Sequence, residues 1–467
     1  MLFTELRFLV FFVVAFFGYW ALQGNRLRKA WLLAASYVFY AGWDPRFLLL
    51  LLVSTAGNYW AGAMIGREAP PGGRRLWLAA SVVLDLGLLG FFKYFGFFAE
   101  STSALLGALG FYFRASALKI ALPVGISFFT FQTLSYTIDV YRRRIQPAAS
   151  VLNFALFVAL FPHLVAGPIV RAVELLPQFV SSRRFAAIHL RWAIGLILSG
   201  FVKKACIADR LAIVVDPVFA SPASYGVASK WLAAALYHVQ IYCDFSGYTD
   251  MAIGVAAILG YRLPQNFDYP YLASSVREFW RRWHMTLTRW FRDYLYIPLG
   301  GSRGSAFQTG RNLVLVFLLC GLWHGAAWTF VAWGAVHGAM LVLERGRFGR
   351  VVAKLPKPLG ALYVNGVVMV GWVLFRSVDL GRAFRFLGGL VAIGEAPHPA
   401  IAKSVPVAWW FAVPVLLLAH LAARRQLWAR TAGRLPNWAF AVACGVLLAL
   451  VLPWVATEHR PFIYFQF

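Results

Sequence analysis

Long apolar runs, separated by short basic or glycine-rich breaks, dominate the chain. They lie near residues 8–22, 31–40, 47–65, 77–98, 122–138, 152–170 and 190–202, then near 231–259, 313–343, 361–375, 407–421 and 438–455. A helix that crosses a bilayer needs about 20 predominantly apolar residues. The pattern therefore predicts an all-α, polytopic membrane protein with roughly ten to twelve membrane segments. The runs 31–40 and 122–138 are short enough to be re-entrant or interfacial. The run 313–343 is too long for one upright helix, and Gly321, Gly325 and Gly334 offer break points inside it. Breaks at membrane depth occur where backbone lines a cavity. Pro162, Gly167 and Pro168 mark a turning segment. No internal repeat or low-complexity tract interrupts the pattern, and residues 1–467 read as one integral membrane domain.

Composition strengthens this reading. Of 467 residues, 61% are hydrophobic and 13% charged, against about 25% charged in an ordinary soluble domain. The 19 Trp and 19 Tyr suit the bilayer interface. A net charge of +26 would point to nucleic acid in a soluble protein. Here Lys and Arg concentrate in short loops, as cytoplasmic loops do, so the expected partners are anionic lipid head groups and anionic cofactors, not nucleic acid. Cys206, Cys243, Cys320 and Cys444 stand far apart with no CxxC pair, which signals neither a zinc site nor a disulfide framework. Residues 1–20 do not read as a cleavable signal, because Glu5 interrupts the start and the apolar stretch continues into further segments.

Against this apolar background the ionisable residues carry the candidate chemistry. Between residues 313 and 336 the only ionisable groups are Cys320 and His324. A polar ring in hydrocarbon costs free energy unless it finds a partner or a wet cavity. Imidazole also exchanges a proton near neutral pH. His324 is thus a candidate for proton transfer, ion passage or ligand contact, the alternative being a packing histidine that donates to a carbonyl. Residues 275–301, SVREFWRRWHMTLTRWFRDYLYIPLGG, show a second pattern. At about 100° per residue, Trp280, Trp283, Leu287, Trp290, Phe291 and Tyr294 share one arc. Arg277, Arg281, His284, Thr288 and Arg292 share its neighbour, with His284 at the border. This predicts an amphipathic helix with a basic edge. It either rests on anionic lipid or uses Arg277, Arg281 and Arg292 to hold donor phosphates, whose oxygens suit planar guanidinium groups.

A polar island at 242–254, YCDFSGYTDMAIG, places Asp244, Ser246, Tyr248, Thr249 and Asp250 between apolar flanks. Carboxylates at membrane depth must be protonated, paired or wet. They either tie helices together or line a pocket for a hydroxylated acceptor, and a direct catalytic carboxylate is a third option. Lys93 reads as a snorkelling side chain and His163 as structural. His337, thirteen residues after His324, has no metal-site spacing. No metal site, phosphate-cradling glycine loop, GxSxG or HExxH motif is found.

The quoted motifs, taken together, resemble the membrane-bound O-acyltransferase family, in particular its bacterial alginate O-acetyltransferase-like branch. The pieces are FFKYFGFF at 91–98, LPVGISFFTFQTLSYTIDVYR at 122–142, FPHLVAGPIVR at 161–171 and YCDFSGYTDMAIG at 242–254. LPQNFDYPY at 263–271, FWRRWHMTLTRWFRDYLYIPLGG at 279–301, LLCGLWHGAAWTFVAWGAVHG at 318–338 and PFIYFQF at 461–467 follow in order. The resemblance implies a ring of membrane helices around a thinned centre crossed by a tunnel. It implies that His324 matches the family's signature histidine, and His284 a second position held by histidine or asparagine. It further implies an enzyme of the bacterial cytoplasmic (inner) membrane that moves acetyl groups outward for exopolysaccharide O-acetylation. Such an enzyme works with separate periplasmic acyl-handling or acetyltransferase proteins. Relatives with similar cores serve alginate, cellulose, peptidoglycan or teichoic acid, the last receiving D-alanine.

Acyl transfer from a thioester to a hydroxyl requires a base, and a buried neutral imidazole fits that need. The expected donor is acetyl-CoA, with no bound cofactor. The tetrahedral oxyanion needs hydrogen-bond donors, for which Trp323, Trp328 or the backbone at Gly325 are candidates. Two rival readings stand beside this one. D-alanyl or other acyl transfer to a cell-wall polymer keeps the chemistry and changes the cargo. A polysaccharide or proton transporter uses Asp244, Asp250 and His324 as a proton path.

Overall fold

The computed structural model describes residues 1–67, 70–111, 120–392, 407–425 and 433–456. The motif at 461–467 lies outside these. The described residues are helical, with no strand among them. They form two compact units, residues 1–195 with 252–264, and residues 196–251 with 265–467.

The first unit carries α1 (Leu6–Ala21), α2 (Asn25–Ala41), α3 (Arg46–Gly66), α4 (Pro71–Leu89), α5 (Phe95–Ala108), α6 (Ile126–Tyr141), α7 (Val151–Ala159), α8 (Phe161–Leu164) and α9 (Ala172–Leu175). A π-turn at Gly90–Tyr94 joins α4 to α5. The run at 122–138 is short because α6 is an interior helix. Its residues 126–137 are all buried, among them Ser127, Thr130, Gln132, Thr133, Ser135 and Thr137. Buried polar groups need partners, and α3, α4 and α6 supply them mutually. The Asp85 carboxylate accepts from Ser54 at 3.0 Å, Asn58 at 2.8 Å and Thr133 at 2.8 Å. The turning segment appears as the α7–α8 break, and residues 154–170 are buried throughout.

Helix α10 (Leu190–Phe201) leads through a π-turn at Val202–Ala208 to α11 (Asp209–Ala220), and α12 (Val227–Ile258) follows. The second unit continues with α13 (Val276–Arg282), α14 (Met285–Phe291), α15 (Ala306–His324), α16 (Trp328–Leu343), α17 (Arg347–Val352) and α18 (Lys357–Arg376). The expected break in 313–343 falls between His324 and Trp328, with Gly325 extended at φ −158° and ψ 149°. Here α15 and α16 fold back on each other as a hairpin. A Cβ on Gly321 would lie 2.1 Å from the Phe330 carbonyl oxygen, and one on Gly334 would lie 2.3 Å from that of Phe317. Only glycine permits so close an approach, the usual device where membrane helices cross. Helices Arg46–Gly66, Gly72–Ala108, Ala306–His324, Lys357–Arg376 and Asn437–Trp454 are long and apolar enough to cross a membrane. Leu6–Ala21, Trp328–Leu343 and Ala412–Arg424 are shorter apolar helices.

Candidate active site: a histidine pair in an aromatic cage

The second unit brings His284 and His324 together, with ring centroids 6.3 Å apart. His324 ends α15, 4% exposed. Its ring lies edge-on to Trp323 at 5.1 Å, Trp333 at 5.1 Å and Phe375 at 5.3 Å. His284 is wholly buried and meets Phe245 of α12 at 4.7 Å and Trp323 at 6.1 Å, both edge-on. The imidazoles thus share one apolar cage, with Trp323 touching both.

The amphipathic segment is not one helix. It breaks at Trp283–His284, where His284 adopts left-handed backbone, φ 43° and ψ 52°. Trp280, Trp283, Leu287, Trp290, Phe291 and Tyr294 are all buried, so the apolar arc packs into protein. This corrects the picture of a continuous helix resting on lipid. The break is held from a chain segment eighteen residues earlier. The backbone oxygen of Asn266 accepts from Met285 N at 2.9 Å, and Asp268 N donates to the Arg282 oxygen at 2.9 Å. The side-chain oxygen of Asn266 accepts from Thr286 N at 3.2 Å and Thr286 Oγ1 at 2.9 Å. It also lies 3.0 Å from His284 Nδ1. Burial pushes the His284 pKa down to about 3, because removing imidazolium from water is costly. His284 is therefore neutral at physiological pH. Asn266 was not singled out in the sequence. Its available signals were its polarity within an aromatic stretch and its place in LPQNFDYPY at 263–271.

The island at 242–254 resolves into ion pairs. Lys204 Nζ lies 2.5 Å from Asp244 and 2.8 Å from Asp209, all buried. Lys203 pairs with Asp250. Both lysines sit on the π-turn Val202–Ala208, a feature that sequence reading overlooked. Ser246 is buried on α12. Of the three expected roles for Asp244 and Asp250, tying elements together is the one these ion pairs display.

The basic edge divides. Arg277 lines a cavity of 390 Å³ with Ser275, Glu344 and Arg345. Glu344 accepts from the backbone nitrogens of Val276 at 2.7 Å and Arg277 at 3.0 Å, so a carboxylate already caps the start of α13. Arg281 is exposed. Arg292, half exposed, pairs with its neighbour Asp293 at 2.6 Å. Trp328 is 56% exposed at the start of α16, whereas Trp323 is buried beside both imidazoles.

An all-helical, apolar fold with two imidazoles enclosed in one aromatic cage defines a polytopic membrane protein with a buried histidine pair. The sequence pattern of the MBOAT, membrane-bound O-acyltransferase family matches residues 140–375. A probable alginate O-acetylase AlgI of Azotobacter vinelandii is 44% identical over 397 residues, 85% of this chain and 79% of that one. A peptidoglycan O-acetyltransferase of Helicobacter pylori is 37% identical over 424 residues, 84% of this chain and 79% of that one. A teichoic acid D-alanyltransferase of Streptococcus thermophilus is 29% identical over 234 residues, 47% of this chain and 56% of that one. The chain belongs to the membrane-bound O-acyltransferase family and is a multi-pass membrane O-acyltransferase.

Proposed function

We propose that this protein transfers an acetyl group from cytoplasmic acetyl-CoA for O-acetylation of an exported polysaccharide such as alginate, with His324 as the base. The observation that carries the reading is the buried pair His284–His324, 6.3 Å between ring centroids, closed in by tryptophan and phenylalanine rings. The acceptor hydroxyl gives its proton to a neutral imidazole nitrogen as its oxygen attacks the thioester carbonyl carbon. The C–S bond then breaks, and the imidazolium returns the proton to the departing thiolate. The Trp323 indole, against both imidazoles, is a candidate donor to the oxyanion.

Arg277 and Arg345 give the donor side a foothold. They line one cavity, and guanidinium groups recognise phosphate oxygens. Glu344 in the same cavity lowers its net positive charge. O-acetylation is favoured over D-alanyl transfer because the alginate O-acetylase and the peptidoglycan O-acetyltransferase match 85% and 84% of this chain and the D-alanyltransferase 47%, and alginate is preferred as the polymer on identity, 44% against 37%. On this reading the protein sits in the bacterial inner membrane and works with periplasmic acyl-handling proteins and the polymer itself.

The test is direct. Purified protein with acetyl-CoA should release free CoA, and His324→Ala should release none. Mass analysis of the exported polymer should show its acetyl groups lost in the same variant. Unchanged CoA release and unchanged acetylation in His324→Ala would refute the role of that residue. Polymer flux without CoA release would favour transport.

A further inference from the structure

We infer that Asn266 is a positioning residue that fixes His284 as the tautomer with its proton on Nδ1, so that Nε2 presents a lone pair to the active site. The inference rests on the acyl-transfer reading above and deepens it. Three contacts establish the geometry. The backbone N–H of Thr286 can only donate, and it lies 3.2 Å from the Asn266 side-chain atom that also meets Thr286 Oγ1 at 2.9 Å. That atom is therefore the carbonyl oxygen, and the amide cannot be turned over without facing one N–H with another. An amide oxygen has no proton to give. His284 Nδ1, 3.0 Å away, must then be the donor. The other ring nitrogen, Nε2, is buried and has no hydrogen-bond partner among the described residues.

The consequence is chemical. A histidine serves as base only through the nitrogen that lacks a proton, and the partner of the opposite nitrogen decides which one that is. With Nδ1–H committed to Asn266, Nε2 is the ring nitrogen left with a lone pair to accept a hydrogen bond beside the base His324. The ring is held along its chain as well as at its edge. The Asn266 backbone oxygen takes Met285 N at 2.9 Å, and the His284 oxygen takes Thr288 N at 3.0 Å. A neutral amide in this place orients the imidazole without charging it, whereas a carboxylate would orient it and also favour imidazolium. His324 of α15 is the titratable group packed against this ring, and Phe245 of α12 and Trp323 of α15 are uncharged. Asp244, next to Phe245 on α12, is engaged by Lys204.

The experiment uses the purified full chain with acetyl-CoA as probe. Asn266→Ala should lower kcat for CoA release at least tenfold with the KM for acetyl-CoA changed less than twofold. On a His284→Ala background it should cause no further loss. Asn266→Asp, nearly identical in shape, should keep the fold and move the acid limb of the pH–rate profile upward by about one unit or more. An Asn266→Asp profile that superimposes on the wild type would overturn the inference, and so would equal losses from Asn266→Ala in both backgrounds. A readout independent of catalysis is nitrogen-15 histidine spectroscopy, with the His284 signal identified by its absence in His284→Gln. A proton on Nδ1 in the wild type and a mixture in Asn266→Ala are expected. A proton on Nε2 in the wild type defeats the inference whether or not CoA is released. Unaltered turnover in His284→Ala alongside a dead His324→Ala defeats it while leaving the acyl-transfer reading intact.

Discussion

At the scale of single residues, the site separates groups that chemistry made visible from those that only a fold can reveal. His324 stood out because an imidazole in an apolar run is costly, and it lies in the aromatic cage. Asn266 did not, because its role depends on a contact with a ring eighteen residues away. The arginines were legible as a class but not individually, since their periodicity is blind to the carboxylate beside Arg292. Arg277 shares a cavity with Arg345, so Arg277→Gln should raise the KM for acetyl-CoA by about threefold to tenfold, the worth of one exposed charge contact near 1 kcal/mol. Arg292→Gln should move it less. Steady-state kinetics of CoA release checks both, and a larger effect at Arg292 would reverse the assignment.

Among elements, hydrophobic periodicity located the helices well and their interruptions unevenly. The break after His324 was readable because Gly325 and the excess length of the run both announced it. The break at His284 was not, since Trp280, Trp283, Leu287 and Trp290 keep helical spacing straight through it. Their side chains remain on a buried face while the backbone reverses at one residue. The π-turn Val202–Ala208 carries no sequence signature, yet it places Lys204 between Asp209 and Asp244. Lys204→Met removes the ammonium those carboxylates share, and breaking a buried pair from one side costs about 3–5 kcal/mol. The variant is expected to unfold at a markedly lower temperature than the wild type in detergent. An unchanged melting temperature would show that the pairs carry no stability.

On the scale of the molecule, charge is distributed unequally in the first unit. Arg28 donates to the Arg183 oxygen at 2.9 Å, Lys29 to Asn153 at 2.6 Å, and Arg74 to the Tyr141 oxygen at 2.8 Å. These contacts gather the stretches 22–29, 70–75, 142–153 and 178–184 at one end. At the other, Tyr40 meets the Val124 oxygen at 3.0 Å and Arg46 is paired with Asp44. Basic loops stay on the cytoplasmic side, so the first end is expected to face the cytoplasm. With Cys444 replaced by serine, Arg46→Cys should react with an impermeant maleimide from outside the cell, and Arg144→Cys only after permeabilisation. The reverse pattern would invert the assignment. The ribosome releases those loops long before it reaches residue 284, so the direction of threading is decided while the histidine pair is still untranslated. Substituting glutamine for Arg26, Arg28, Arg74 and Arg75 is then expected to silence the enzyme through faulty biogenesis, with every atom of its chemistry still encoded.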